Sequence, residues 1–301
     1  MNQDTWAVRQ RTKEWLKGIP YEVAFWQSYY GNRKRRADLF EWSQYDEECV
    51  LDNFDVAAYI GSLDHAPVIM DVGCALSYAF GNVFNGKTLP VLYIDPLAPF
   101  YNRILNRYTI LRPNITFGMI ETLSSNFGEE TVDFIHIRNA LDHCADPVAG
   151  IIQALSCLRT GGILYLNHFR NEACNEAYRG FHQYNITEED GHLIIWNREH
   201  GKDITKFLAP FAETVTSVSN EGRIVAVITK KAPVPEEILD RQKTNLNISL
   251  MLMTSAELFH STRFVIAYQW SKAFTTVSHS IMRLLPYSWI KRLKKLLSRR
   301  S

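Results

Sequence analysis

The sequence predicts an α/β fold: a mostly parallel β-sheet with helices on both faces and an antiparallel last strand, extended by helices at both ends. Three observations lead there. Short apolar runs that end in turn residues alternate with helix-length segments; one such segment carries both a start and a stop signal for a helix; and two β-branched runs near the end are joined by a four-residue turn.

The elements follow in order. From about Thr5 to Ala66 the chain is rich in aromatic and charged residues and reads as a helical lead-in, with Tyr21-Glu-Val-Ala-Phe-Trp26 placing apolar groups on one helical face. Within it, Gly31-Asn-Arg-Lys-Arg-Arg36 reads as a solvated loop or helix start, with contact to an anionic substrate as the alternative. At Pro67 the pattern changes. Val68-Ile-Met-Asp-Val72 is a buried parallel strand by its continuous apolar character, and it runs into the small-residue turn Gly73-Cys-Ala75. Further runs are Leu89 to Ile94, ending at Asp95-Pro96, and Val132 to Ile137, ending at Arg138-Asn139.

Asp146-Pro147 opens a helix with an N-cap side chain and a proline at the first helical position. That helix is expected to stop at Arg159-Thr-Gly-Gly162 on a left-handed glycine, before a strand at Ile163 to Leu166. Glu213 to Val218 and Arg223 to Thr229 form an antiparallel hairpin that closes the sheet. Pro233 and Pro235 mark a linker. The expected organisation is therefore a helical segment 1–66, a core domain 67–232 and a helical extension 233–301.

Composition narrows the function classes. A chain of 301 residues with 46% hydrophobic content is long enough for a large core. Its net charge of +1 argues against a protein organised around a polyanion, so no nucleic-acid partner is expected. The five cysteines are odd in number and include no Cys-x-x-Cys pair, which favours a reduced, intracellular protein. The N-terminus has no basic-then-apolar signal, and no run approaches the roughly 18 apolar residues of a spanning helix. A cytoplasmic location is expected, with peripheral membrane contact open.

The chemistry is carried by two strand ends. A strand leading through a tight turn into a helix presents backbone N–H groups at the carboxyl edge of the sheet, where open α/β folds bind ligands. Asp71-Val-Gly73-Cys74-Ala75 occupies that junction. Gly73 would let a ligand approach the backbone, and Asp71 would order the turn. Asp95 ends the next strand at about the offset at which an acidic residue accepts hydrogen bonds from a ribose diol. A nicotinamide cofactor would use the same offset, but its fingerprint has three glycines, and this turn has one followed by Cys74 and Ala75.

In these residues the chain resembles the class I S-adenosylmethionine-dependent methyltransferases, whose first motif is an apolar strand followed by Asp-x-Gly-x-Gly. The resemblance runs over roughly residues 66 to 230, through Tyr93-Ile-Asp95, Glu121-Thr-Leu123, Val132-Asp-Phe134, Asn139-Ala-Leu-Asp-His143 and Leu158-Arg-Thr-Gly-Gly162. It implies a Rossmann-like, seven-stranded sheet and S-adenosylmethionine as cofactor. It also implies that Asp71 and Gly73 line the methionine end, that Asp95 binds the ribose hydroxyls and that Glu121 or its neighbours border the adenine, with Cys74, Ala75, Pro96 and Asn139 also contacting the cofactor. Ala75 departs from the usual second glycine, and Met119 stands where many relatives carry an acidic residue.

Asp95-Pro-Leu-Ala98 with Tyr101, and Tyr178 to Asn185, further resemble a bacterial subgroup associated with surface polysaccharides, which implies a glycan or lipid-linked acceptor. Methyl transfer to a hydroxyl needs a base, and His143, beyond the fourth strand and beside Asn139 and Asp142, is the first candidate; its alternative is a structural histidine. Asp142, His168, Tyr178 and His182 are candidates for acceptor contact. No metal is expected, because the histidines are far apart in sequence and none forms a His-x-x-x-His pair.

The end of the chain, Ser280 to Ser301, carries only basic charges. Ile290, Leu293, Leu296 and Leu297 recur there at helical spacing, a pattern that lies on an anionic membrane surface or docks on protein. Two other functions stay open: a nicotinamide-dependent sugar oxidoreductase and a non-enzymatic membrane-associated scaffold.

Overall fold

The computed structural model describes residues 3–240 and 262–284. Three helices precede the sheet: α1 (Gln3–Tyr30), α2 (Arg33–Trp42) and α3 (Val56–Gly61). Asn32 caps α2 by accepting from the Lys34 and Arg35 amides, so the basic cluster is a helix start. Arg35 and Arg36 lie over the rings of Tyr29 and Tyr108.

The central sheet has seven strands: β1 (Ile69–Val72), β2 (Val91–Asp95), β3 (Thr116–Phe117), β4 (Val132–Arg138), β5 (Leu158–Phe169), β6 (Ala212–Val218) and β7 (Arg223–Lys230). Their order is β6-β7-β5-β4-β1-β2-β3, and every pairing from β3 to β5 is parallel, whereas β7 runs antiparallel to both β5 and β6. This is the Rossmann-like, mostly parallel architecture with an antiparallel last strand. The order reverses beside β1, the topological switch point at which such sheets bind ligands.

Alternation along the strands sends one set of side chains to each face. Met70, Ile135, Leu164 and Ile224 pack with helix α4, residues Pro147–Cys157, on one side. Ile69, Phe134, Tyr165 and Val225 pack with Val56 and Ile60 of α3 on the other. Ile135 and Leu164 are fully buried, and each such side chain contributes about 1.5–3 kcal/mol through removal from water. A third cluster joins Trp15, Ile19 and Trp26 of α1 to Tyr93 and Leu97, which seats α1 near the edge of the sheet where β2 ends.

Three expectations are corrected. No helix follows β1; residues 73 to 82 form turns that lead into a short ribbon, Val83–Phe84 with Lys87–Thr88. Phe80 nevertheless fills the helix's place in the core, stacking on Phe134 and His136. The helix expected to end on a glycine cap ends at Cys157 instead, and β5 begins at once. There the Leu158 backbone pairs with Val132, and the surplus residues are absorbed by a register shift with Gly161 at φ +86°. A three-stranded antiparallel sheet, Asn185–Glu189, His192–Trp196 and Gly201–Asp203, was not anticipated. Its signal was present: Asp190-Gly191, with φ +51° and +80°, is a two-residue turn that selects a hairpin.

Candidate functional site

A cavity of about 1130 Å³ lies at the carboxyl edge of β1, β2 and β4 and is roofed by α1. It exceeds the roughly 300–1,000 Å³ of an ordinary ligand site, enough for two molecules side by side. The C-terminal helix, Thr262–Leu284, reaches its rim through Ser271 and Phe274.

The floor is the β1 turn. The Gly73 and Cys74 amides both donate to the Ile94 carbonyl, at 2.8 and 3.4 Å, and the Ala75 amide donates to Asp95 Oδ2 at 3.0 Å. Three consecutive N–H groups are thus consumed by the chain itself. The expected free amides are not there, and neither is a helix N-terminus, so a diphosphate has no cradle at this turn. Gly73 is required for a different reason than ligand approach: at φ +72°, a Cβ on it would stand 2.3 Å from Ala140 Cβ. Ala75 takes φ +46°, a conformation that glycine would adopt without cost.

Asp95 faces the cavity from the end of β2. Its Oδ1 accepts from the Leu97 amide at 2.8 Å, and its Oδ2 accepts from Ala75. Each oxygen keeps a lone pair, held in a fixed orientation. Burial raises the Asp95 pKa to about 7, against the two amides that lower it. A pair of hydroxyl donors would favour its ionised form. Pro96 lines the cavity beside it.

Met119 and Glu121 form the next part of the wall. Glu121 Oε1 accepts from the Ala145 and Asp146 amides at 2.8 and 3.3 Å, so this carboxyl holds the loop before α4 in place. Burial raises its pKa to about 7 as well. Asn139, at φ +49°, turns its carboxamide oxygen to the Phe169 amide and to the guanidinium of Arg223.

Not every candidate reaches the cavity. Asp71 turns to the α3 side of the sheet, where the buried His136 ring donates from Nδ1 to Asp71 Oδ1 at 2.7 Å. Cys74 is buried in the cluster beneath α1. His168 is 2% exposed, and neither of its ring nitrogens has a hydrogen-bond partner among the described residues. Burial lowers its pKa to about 3, which leaves it a neutral core ring.

The acceptor side is built from two distant segments. Asp142 and His143 follow β4, and His182 lies beyond the Tyr178 turn. His182 Nδ1 donates to Asp142 Oδ2 at 2.7 Å, His143 Nε2 lies 3.4 Å from the same oxygen, and the two ring nitrogens are 3.2 Å apart. Burial would raise the Asp142 pKa, but His143 and His182 outweigh it and hold the carboxyl at about 2. His182 is opposed in the same way, burial lowering its pKa and the bond to Asp142 raising it further. Tyr178 lines the wall, its hydroxyl accepting from Asn185 at 2.8 Å while Arg198 lies over its ring.

The sequence shows α1 as a helix but not that its Trp15 enters the site, and it does not point to Arg223. Trp15 donates to the His143 carbonyl at 2.9 Å and stacks on Phe181, with centroids 4.9 Å apart. Gly18 makes that contact possible, since a Cβ there would lie 2.2 Å from the Phe181 ring. Arg223 is buried and donates to the side chain and carbonyl of Asn167 as well as to Asn139. Its signal was an arginine at the head of an otherwise apolar strand.

No family model and no curated protein matches the chain. Among solved structures, the CurJ carbon methyltransferase is 17% identical over 57% of this chain and 51% of its own, with a TM-score of 0.40. The chain thus spans about half the length of that relative. A SAM-dependent methyltransferase from Aquifex aeolicus is 12% identical over 56% and 84%, with a TM-score of 0.36. An S-adenosylmethionine-dependent methyltransferase from Clostridium acetobutylicum ATCC 824 is 13% identical over 60% and 93%, also at 0.36. At these values the fold assignment stands on the strand order alone.

Proposed function

We propose that this chain is an S-adenosylmethionine-dependent methyltransferase that methylates a hydroxyl of a sugar, in a glycan or its lipid-linked precursor. The observation that carries the reading is Asp95: a buried carboxylate, fixed by two amides, with a free lone pair on each oxygen facing a large cavity at the switch point. The spent amides of the β1 turn speak against a nicotinamide dinucleotide. When bound, S-adenosylmethionine would supply a sulfonium methyl group to an in-line nucleophilic oxygen, the C–O bond forming as the C–S bond breaks and S-adenosylhomocysteine leaves.

The residues divide the work. Asp95 and Pro96 hold the ribose end, Gly73, Ala75 and Asn139 the methionine end, and Met119 and Glu121 the adenine. His143 takes the acceptor proton, and the ionised Asp142 beside it stabilises the imidazolium that forms. Trp15, Phe181, Tyr178 and His182 offer flat faces with polar neighbours, which suit a sugar ring.

Calorimetry tests the cofactor. S-adenosylhomocysteine is expected to bind and NAD is not; Asp95→Ala weakens S-adenosylhomocysteine by at least about tenfold, since hydrogen bonds to a charged group contribute about 1.5–3 kcal/mol each. Affinity rises from pH 6 to pH 8 as Asp95 ionises near 7, and Asp95→Asn removes that slope. Binding of NAD without S-adenosylhomocysteine would overturn the reading. Transfer of label from the methyl group of S-adenosylmethionine to fractionated cell glycans tests the acceptor; a bound cofactor with no labelled product would favour a scaffold.

For location, we propose contact with an anionic membrane surface. No described helix is long and apolar enough to cross a membrane. The basic tail beyond Leu284 lies outside the described residues, but the helix leading into it exposes Ile266, Trp270 and Val277. Flotation with anionic liposomes should need residues 280–301; equal flotation of the truncated chain sinks this reading.

A further inference from the structure

We propose that Asp142, His143 and His182 bind a divalent first-row cation, best matched by Zn²⁺, on the acceptor side of the cavity. Asp142 Oδ2, His143 Nε2 and His182 Nδ1 converge within 4.8 Å of one another, at pairwise separations of 2.7, 3.2 and 3.4 Å. Zinc bonds to nitrogen and oxygen of about 2.0–2.2 Å in a tetrahedron put ligand atoms roughly 3.3–3.6 Å apart. Two of the three separations already stand close to that value, and only the Asp142–His182 pair has to open.

Hydrogen bonding and metal binding compete for this triangle of two ring nitrogens and one carboxylate oxygen. The single proton on His182 Nδ1 serves the bond to Asp142. If His143 Nε2 is protonated too, the two N–H groups share Asp142 Oδ2; if it is not, its lone pair faces a carboxylate oxygen. A cation accepts all three lone pairs at once.

The ligands are held in advance. The Gln183 amide donates to the Asp142 carbonyl at 3.0 Å and ties the two segments together, while the His143 carbonyl is fixed by Trp15. The Asp142 side chain is 4% exposed, but those of His143 and His182 are 23% and 27% exposed and open to the cavity, so the remaining coordination position faces the acceptor. Two imidazoles and one carboxylate favour such an ion over Mg²⁺ or Ca²⁺, which prefer all-oxygen sites. Resting on the methyl-transfer reading, the consequence is a changed role for His143. A hydroxyl bound to the cation loses its proton to solvent more readily, and His143 acts as a ligand.

The test is equilibrium dialysis of chelator-stripped protein against Zn²⁺ alone, with metal content measured. One equivalent should bind with a dissociation constant near or below about 1 μM. Asp142→Asn and His182→Gln should each weaken it by about 100-fold, with unchanged circular dichroism, and Glu176→Gln, elsewhere on the wall, should not. His143→Gln is the second ligand variant should either of the first two fail to fold. Failure to bind Zn²⁺ at 100-fold excess over 1 μM, or binding by the ligand variants as tight as by the parent, overturns the proposal. S-adenosylhomocysteine binding to the stripped protein reads the cofactor site separately, so the two proposals fail independently.

Discussion

Replacing Gly73 with alanine, and testing whether Ala140→Gly relieves it, separates two roles for the motif glycine. In Gly73→Ala the new Cβ would lie 2.3 Å from Ala140 Cβ, and the residue would stay at φ +72°. The left-handed backbone costs about 1–2 kcal/mol for a residue with a side chain, and the overlap adds about 1–3 kcal/mol. The sum is about 2–5 kcal/mol. Ala140→Gly alone costs about 0.4–1 kcal/mol through the unfolded chain. In the double variant the overlap is gone and the backbone cost remains, so the coupling energy should be about 1–3 kcal/mol in the stabilising direction. Urea unfolding followed by tryptophan fluorescence measures all three variants. If the double variant is merely the sum of the singles, Gly73 is not there for Ala140. If Gly73→Ala keeps full stability and loses only S-adenosylhomocysteine affinity, its role is ligand approach.

Other outcomes follow from the same geometry. Ala75→Gly should raise stability by about 1 kcal/mol, because the residue at φ +46° is relieved of left-handed strain; an unchanged or lower urea midpoint refutes this. His168→Leu should be more stable than the parent by at least about 1 kcal/mol at pH 7.5, since it removes buried nitrogens without partners. Its pH dependence has a definite sign. With a folded pKa of about 3 against 6.5, the unfolded state binds the proton first, so the parent's stability from this group is present above pH 6.5 and is lost as pH falls toward 3. Against the parent, His168→Leu should therefore gain about 1.4 kcal/mol per pH unit below 6.5, and parallel stability curves would contradict that.

The acceptor site was only half legible. Asp142 and His143 were visible because they follow a strand end, where open sheets carry function. His182 could be named but not placed: it sits 39 residues after His143, and their contact depends on the Gln183 amide meeting the Asp142 carbonyl. Asp71 shows the reverse error. Period-2 alternation alone put it on the face of Ile69, away from the cavity, but its motif position outweighed that sign.

The sequence by itself determined six of the seven strands of the central sheet; Thr116–Phe117, only two residues long, carries no apolar run to announce it. Apolar runs, the Asp146-Pro147 cap and the closing β-branched pair act over a few residues, and local chemistry suffices to read them; Asp95 at the end of β2 belongs with them. Only the tertiary structure decided that no helix follows β1, that α1 roofs the cavity through Trp15 and Phe181, and that one carboxylate and two imidazoles meet at a point. Those features join residues from about 40 to 170 positions apart, and which partners fill a given space is set by packing among all of them.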